Sequence, residues 1–312
     1  MDLFAREVKI YSIVLPAFVK FQEEKKIKPE TGFFNFPKCY FAEYDLEKDD
    51  AILIMEDLRE SGYKMWDKHV PTNFEHSKII FSALGRLHAL SFAMKVQKPE
   101  NIEPFKSLND LLSGKCIKEE VRSMFEGMID RAVEVLDEND TKRRTKAIKL
   151  KENYAATLEE LVNPESAEPF TVLGHGDCWS NNFMFHYKVG SPSKIVLLDW
   201  QMTRYVSPVL DLVYYLFAST DSEMRAKHFD ELLNIYHQSL KVFGVIMASI
   251  IIPVITKKSE DIPDTDIMAE RLETADAATK DKIMKSFMHG PNVAFKGRMK
   301  GVLHDAIRYG YL

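Results

Sequence analysis

Residues 170–182 read Phe170-Thr171-Val172-Leu173-Gly174-His175-Gly176-Asp177-Cys178-Trp179-Ser180-Asn181-Asn182, and further on comes Ile195-Val196-Leu197-Leu198-Asp199-Trp200-Gln201. An apolar approach meets a polar cluster, and a second apolar run ends on an acid. Gly190, Ser191, Pro192 and Ser193 between them mark a turn region. The pattern predicts two short strands, each carrying an Asp at or just past its end, with an Asn five positions after the first Asp.

That spacing has a chemical use. In phosphoryl transfer the protein mostly positions groups and neutralises charge, because the transition state is loose and its charge spreads over oxygens. One carboxylate can accept or orient an acceptor hydroxyl, while an Asn and a second carboxylate hold Mg2+ against nucleotide phosphates. The D-x-x-x-x-N offset followed by a later strand-end Asp is the order used in protein kinases. Either Asp alone reads equally as a turn cap. The information lies in the ordered set Asp177, Asn182 and Asp199. A metal-dependent phosphohydrolase built on His175, Asp177 and Asp199 is disfavoured, since no further His or Asp cluster supplies a second metal.

With Trp179 and Leu198-Asp199-Trp200-Gln201, the set resembles the ecdysteroid kinase-like branch of the choline/aminoglycoside-type small-molecule kinases. The resemblance implies an α+β, protein-kinase-like two-lobed fold: an incomplete small N-terminal lobe over residues 1–57 and a mainly helical C-terminal lobe over 58–312. It implies ATP as donor and Mg2+ as metal, with Asp177 as base or orienting carboxylate. Asn182 would act beside it in catalysis and, with Asp199, hold the metal. The implied acceptor is a small-molecule alcohol, a steroid or choline-like compound being within the family's range; no residue selects one. His175-Gly176-Asp177 in place of H-R-D, Leu198-Asp199-Trp200-Gln201 in place of D-F-G, and the absence of A-P-E separate the chain from protein kinases. A non-catalytic pseudokinase or regulatory nucleotide-binding protein is the alternative.

Upstream, Phe4, Val8, Tyr11 and Leu15 recur at helical spacing and predict an apolar stripe on a helix over residues 3–24, with Glu7 at its edge. On pattern alone Glu7 is a solvated rim residue. The resemblance makes it the glutamate that pairs with the phosphate-binding lysine. Strands are expected over 37–44 and 51–55, running into Met55-Glu56-Asp57-Leu58, the adenine hinge by resemblance and an edge strand otherwise. The family's phosphate-covering loop and lysine strand lie before this helix. Here no glycine precedes Gly32 and no lysine precedes Lys9. The expectation is therefore a truncated form with very weak phosphotransfer, and with sheet edge and apolar surface exposed on its small lobe. The direct passage from Phe243-Gly244 into Val245 suggests a second deletion.

Between these motifs, Thr72-x-x-Glu75 and Thr220-x-x-Glu223 read as capping boxes. The first helix turns Ile80, Leu84, Leu87 and Met94 inward, with His88 a hydrogen-bonded structural residue. The second turns Phe229, Leu232, Leu233, Tyr236, Leu240 and Phe243 inward. Helices are expected over 117–136 and 141–162, the cluster Lys142-Arg143-Arg144 with Lys146 being a solvated face. Asp211 is architectural under both readings, as a helix N-terminal acid or as the family's support for the catalytic loop. A charged loop over 257–282 and a terminal helix over 296–309 complete the reading.

A net charge of −5 gives no electrostatic case for nucleic acid or an anionic membrane as partner. Cys39, Cys116 and Cys178 are scattered, which predicts neither disulfides nor zinc and fits a reducing, cytoplasmic setting. No signal-peptide pattern opens the chain, and no membrane span is expected, the run Val245–Ile255 being too short and interrupted by Pro253.

Overall fold

A computed structural model describes residues 3–45, 47–48, 50–106 and 119–255. The expected first helix is present but broken in register: α1 (Leu3–Lys9) passes through a π turn (Ile10–Val14) into α2 (Leu15–Glu24). The Leu15 N–H donates to the Ile10 carbonyl, five residues back, and Pro16, with no N–H, follows at once. Val8, Tyr11 and Leu15 are buried as expected. Phe4 is 59% exposed, because the stripe runs out at the first turn. Arg6 and Glu7 are both buried.

β1 (Cys39–Asp45) and β2 (Asp50–Met55) form an antiparallel hairpin with Phe41 opposite Ile54. Phe41, Ile52 and Ile54 are 44–51% exposed, so the apolar surface expected on this part of the chain is there. After β3 (Tyr63–Met65), α3 (Phe74–Gln97) runs through the core. By length and composition α3 could cross a bilayer. However, 61% of its apolar window is buried inside the protein, as in the core helix of a globular fold.

Both capping boxes are shifted by one residue. Asn73, not Thr72, caps α3 by accepting from the His76 N–H, while the Thr72 hydroxyl reaches Tyr215 and the Ser219 carbonyl. Likewise the Asp221 carboxylate accepts from Met224 N–H at the head of α9, and Thr220 bonds back to the Leu216 carbonyl. In each pair of adjacent cap formers, the threonine is buried and already bonded.

α4 (Pro99–Lys106), α5 (Glu119–Glu134), α6 (Thr141–Val162) and α7 (Pro164–Ala167) follow. Arg143 pairs with Asp140 at the exposed start of α6, whereas Arg144 folds back onto the Val133 and Leu136 carbonyls. The basic cluster is thus partly a helix-end tie.

Two small antiparallel sheets then build the centre. β4 (Val172–Gly174) pairs with β7 (Arg204–Val206); β5 (Phe183–Lys188) lies between β3 and β6 (Ser191–Leu197). The β5–β6 turn is Val189-Gly190, both at positive φ. It is tighter than expected, since 191–193 already belong to β6. α8 (Val209–Ser219) and α9 (Ser222–Ile255) complete the described chain. On α9, Leu232 and Tyr236 are buried, but Phe229 is 43% exposed. The side chain of Phe243 and the segments 257–282 and 296–309 lie outside the described residues. Met1–Tyr236 forms one compact unit and holds every site residue; His237–Leu312 is assigned to a second.

Candidate active site

The strand ends deliver their acids as the spacing requires. β4 ends at Gly174, and Asp177 follows on a loop that closes into a 3-10 turn, Ser180–Asn182. The Asn182 side-chain amide donates to Asp177 Oδ2 at 2.7 Å and to the Asp177 carbonyl at 2.9 Å. The Asn182 side-chain oxygen is left available as an acceptor. β6 ends at Leu197, and Asp199 sits in the left-handed region at φ 60°, ψ 71°.

Two bonds lock the loops together. The His175 Nε2 lies 2.8 Å from the Leu198 carbonyl, and the Leu198 N–H donates to the Asn182 carbonyl at 2.9 Å. Gly176 makes the close approach possible: its φ is +88°, and a Cβ there would lie 2.0 Å from the Met202 carbonyl oxygen. Beneath the loop, Asp211 accepts from the N–H groups of His175 (2.7 Å) and Gly176 (2.9 Å) and lies 3.1 Å from His88 Nε2. Both residues expected to be structural, His88 and Asp211, are in that role.

Asp199 has one carboxylate oxygen bonded and one orphaned. Its Oδ2 accepts from Gln201 Nε2 at 3.2 Å, whereas its Oδ1 is buried with no hydrogen-bond partner. Burial, then the nearby Asp177 charge, raises its pKa. Glu7 belongs to the same cluster. Burial and the Asp199 charge raise its pKa, and its carboxylate accepts from the Trp200 N–H at 3.2 Å. No lysine pairs with Glu7 among the described residues. An orphaned carboxylate oxygen, a free amide oxygen on Asn182 and mutually repelling acids suit Mg2+, a hard cation that takes few protein oxygens and keeps waters and phosphates. No group of three His, Cys, Asp or Glu side chains forms an all-protein metal cage among the described residues.

The expected hinge is less directly engaged. Met55 is half-exposed at the end of β2, the Glu56 carboxylate accepts from Lys38 N–H at 2.7 Å, and Asp57 pairs with Arg59 in solvent. Leu58 is buried with Met184 and Val196, which lie on the strands that follow Asn182 and precede Asp199.

Tyr214 was not anticipated, and Tyr11, expected in the core, carries an unexpected orphaned hydroxyl. Tyr214 is three positions after Asp211 on α8, and its side chain lies near Asp177; partial burial and that carboxylate push its pKa up. The i, i+3 relation to an acid supporting the loop was the available signal. Tyr11, on the π turn, is buried with an unpartnered hydroxyl, and burial followed by the Glu7 charge raises its pKa. Tyr11→Phe should therefore stabilise the fold, by about 1 kcal/mol, since it deletes an unsatisfied buried group. Urea denaturation checks this, and an equal loss would mean the hydroxyl is bonded.

The sequence matches the family model of the ecdysteroid kinase-like family over residues 1–244. The chain belongs to the ecdysteroid kinase-like family. This membership, with helices packed on small antiparallel sheets, gives the chain its protein-kinase-like α+β fold and its broad class, a small-molecule kinase-like phosphotransferase. No curated protein matches it. Among solved structures it is similar to the GDP and kanamycin complex of APH(2")-IIia, at 12% identity and TM-score 0.41, covering 92% of this chain and 82% of that one. It is also similar to a Plasmodium vivax ethanolamine kinase, at 14% identity and TM-score 0.38, covering 94% and 73%.

Proposed function

We propose that this ecdysteroid kinase-like chain transfers the γ-phosphoryl group of ATP to the hydroxyl of a small molecule. The observation that carries the reading is the Asp177–Asn182 bond beside the orphaned, buried oxygen of Asp199. Asn182 and Asp199 would hold Mg2+, which when bound neutralises phosphate charge. Asn182 holds Asp177 Oδ2 in place through its side-chain amide. Asp177 orients the acceptor O–H and takes its proton as the new O–P bond forms. Glu7 keeps Trp200 and hence the Asp199 turn in place, and residues 55–58 would meet adenine. The acceptor is a steroid-like or choline-like alcohol, and the setting is cytoplasmic.

A nucleotide-binding role without transfer is the second reading, favoured by one observation: the buried Glu7 carboxylate has a backbone N–H rather than a lysine as partner. Acceptor-dependent ADP release separates the two. With ATP, Mg2+ and a panel of sterols and amino alcohols, Asp177→Asn should lower that rate by about 10²–10⁴. Release that is unaffected by the substitution overturns the assignment of Asp177. Nucleotide binding with no acceptor-dependent release supports the second reading.

A further inference from the structure

Away from the catalytic acids, a cavity of about 520 Å3 opens between the α2–β1 connection, α3 and β6. None of Glu7, Asp177, Asn182 or Asp199 is on its wall. The size is within the range of small-molecule sites, about 300–1,000 Å3. Phe34, Tyr63, Ile79 and Val196 give it an apolar body, and Arg86 enters it from α3.

Arg86 is poorly satisfied. Its Nε is buried with no hydrogen-bond partner, and its Nη1 and Nη2 reach only Ser82 Oγ at 3.4 Å and Asn35 Oδ1 at 3.5 Å, both beyond ordinary bond length. Burial lowers its pKa, and no neighbouring carboxylate counters that. Glu30, the acid on the wall, makes no ion pair with it among the described residues. A guanidinium taken from water without a counter-charge is costly, and its planar fork matches a carboxylate or phosphate. Lys194, exposed at the same cavity, adds a second positive charge.

We propose that this cavity is a second ligand site, for a small organic anion whose apolar body lies against Phe34 and Val196 and whose carboxylate or phosphate head docks on Arg86. The inference is independent of the phosphotransfer reading.

The test uses the full chain and two probes, benzoate and phenyl phosphate, at ionic strength held constant with sodium chloride. The Arg86 Nε–H resonance, assigned by its loss in Arg86→Gln, should shift saturably with at least one probe, and the better probe identifies the head group. Arg86→Gln should weaken binding about tenfold or more. Lys194→Gln, at an exposed position, should weaken it less, and Asp199→Asn should leave it unchanged. Should Arg86→Gln fail to fold, Arg86→Lys, which keeps the charge but loses the fork, provides both the assignment and the weakened binding. The proposal fails if neither probe moves the resonance in folded protein, or if Arg86→Gln binds within about twofold of the parent.

Discussion

Asp211→Ala is expected to cost about 3–5 kcal/mol of stability, the penalty for breaking a buried charged network from one side. Its carboxylate is 2% exposed and bonds the N–H groups of His175 and Gly176, with His88 Nε2 at 3.1 Å. Alanine leaves two buried N–H groups and a buried imidazole without their acceptor. The loop carrying Asp177 would lose its floor, so turnover should fall with stability. Burial pushes the Asp211 pKa up, but the His88 bond and charge, with the Gly176 N–H, outweigh that and hold it well below the ordinary Asp range. A depressed carboxylate contributes its stability above the unfolded pKa and loses it only as pH falls through the folded one. The deficit of the variant should therefore be constant from about pH 5 to pH 8 and shrink only in strong acid. Urea denaturation across that range checks both size and flatness, and a deficit under about 1 kcal/mol would contradict the supporting role.

The loop carrying Asp177 and Asn182 was legible because its information is local. The Asp177–Asn182 spacing is read within one loop, and the apolar runs before Asp177 and Asp199 fix where each strand ends. Glu7 was legible only through resemblance, because its environment comes from Trp200 and Asp199, far along the chain. Where periodicity was the sole guide, it failed at two positions: Phe4 in the first turn of α1 and Phe229 early in α9 fit their stripes but are 59% and 43% exposed. The cap errors have a different cause. Thr72-Asn73 and Thr220-Asp221 each offer two cap formers, and tertiary contacts of the threonine decide between them. The unsatisfied polar atoms of Tyr11 and Arg86 were illegible for the same reason. An orphaned or paired polar atom is a property of packing, and the helix pattern around each reads only as core.

Asp199→Asn is the second large expected effect. The substitution keeps shape and size, and Asn tolerates the left-handed backbone at φ 60°. The Gln201 contact needs only an acceptor oxygen, so the fold should survive. Burial and Asp177 raise the pKa of Asp199, so its charge is unfavourable in the metal-free protein and lost stability is not expected on neutralising it. What disappears is the charge for Mg2+ on the orphaned oxygen, and metal-dependent nucleotide affinity should drop about a hundredfold or more. Titration calorimetry of the folded chain with ATP, with and without Mg2+, beside Asp199→Asn, is the most direct test of the site. The account predicts Mg2+-dependent binding that the variant loses while remaining as stable as the parent. ATP binding that is indifferent to Mg2+ or to the substitution, or no binding by folded parent protein, would contradict it.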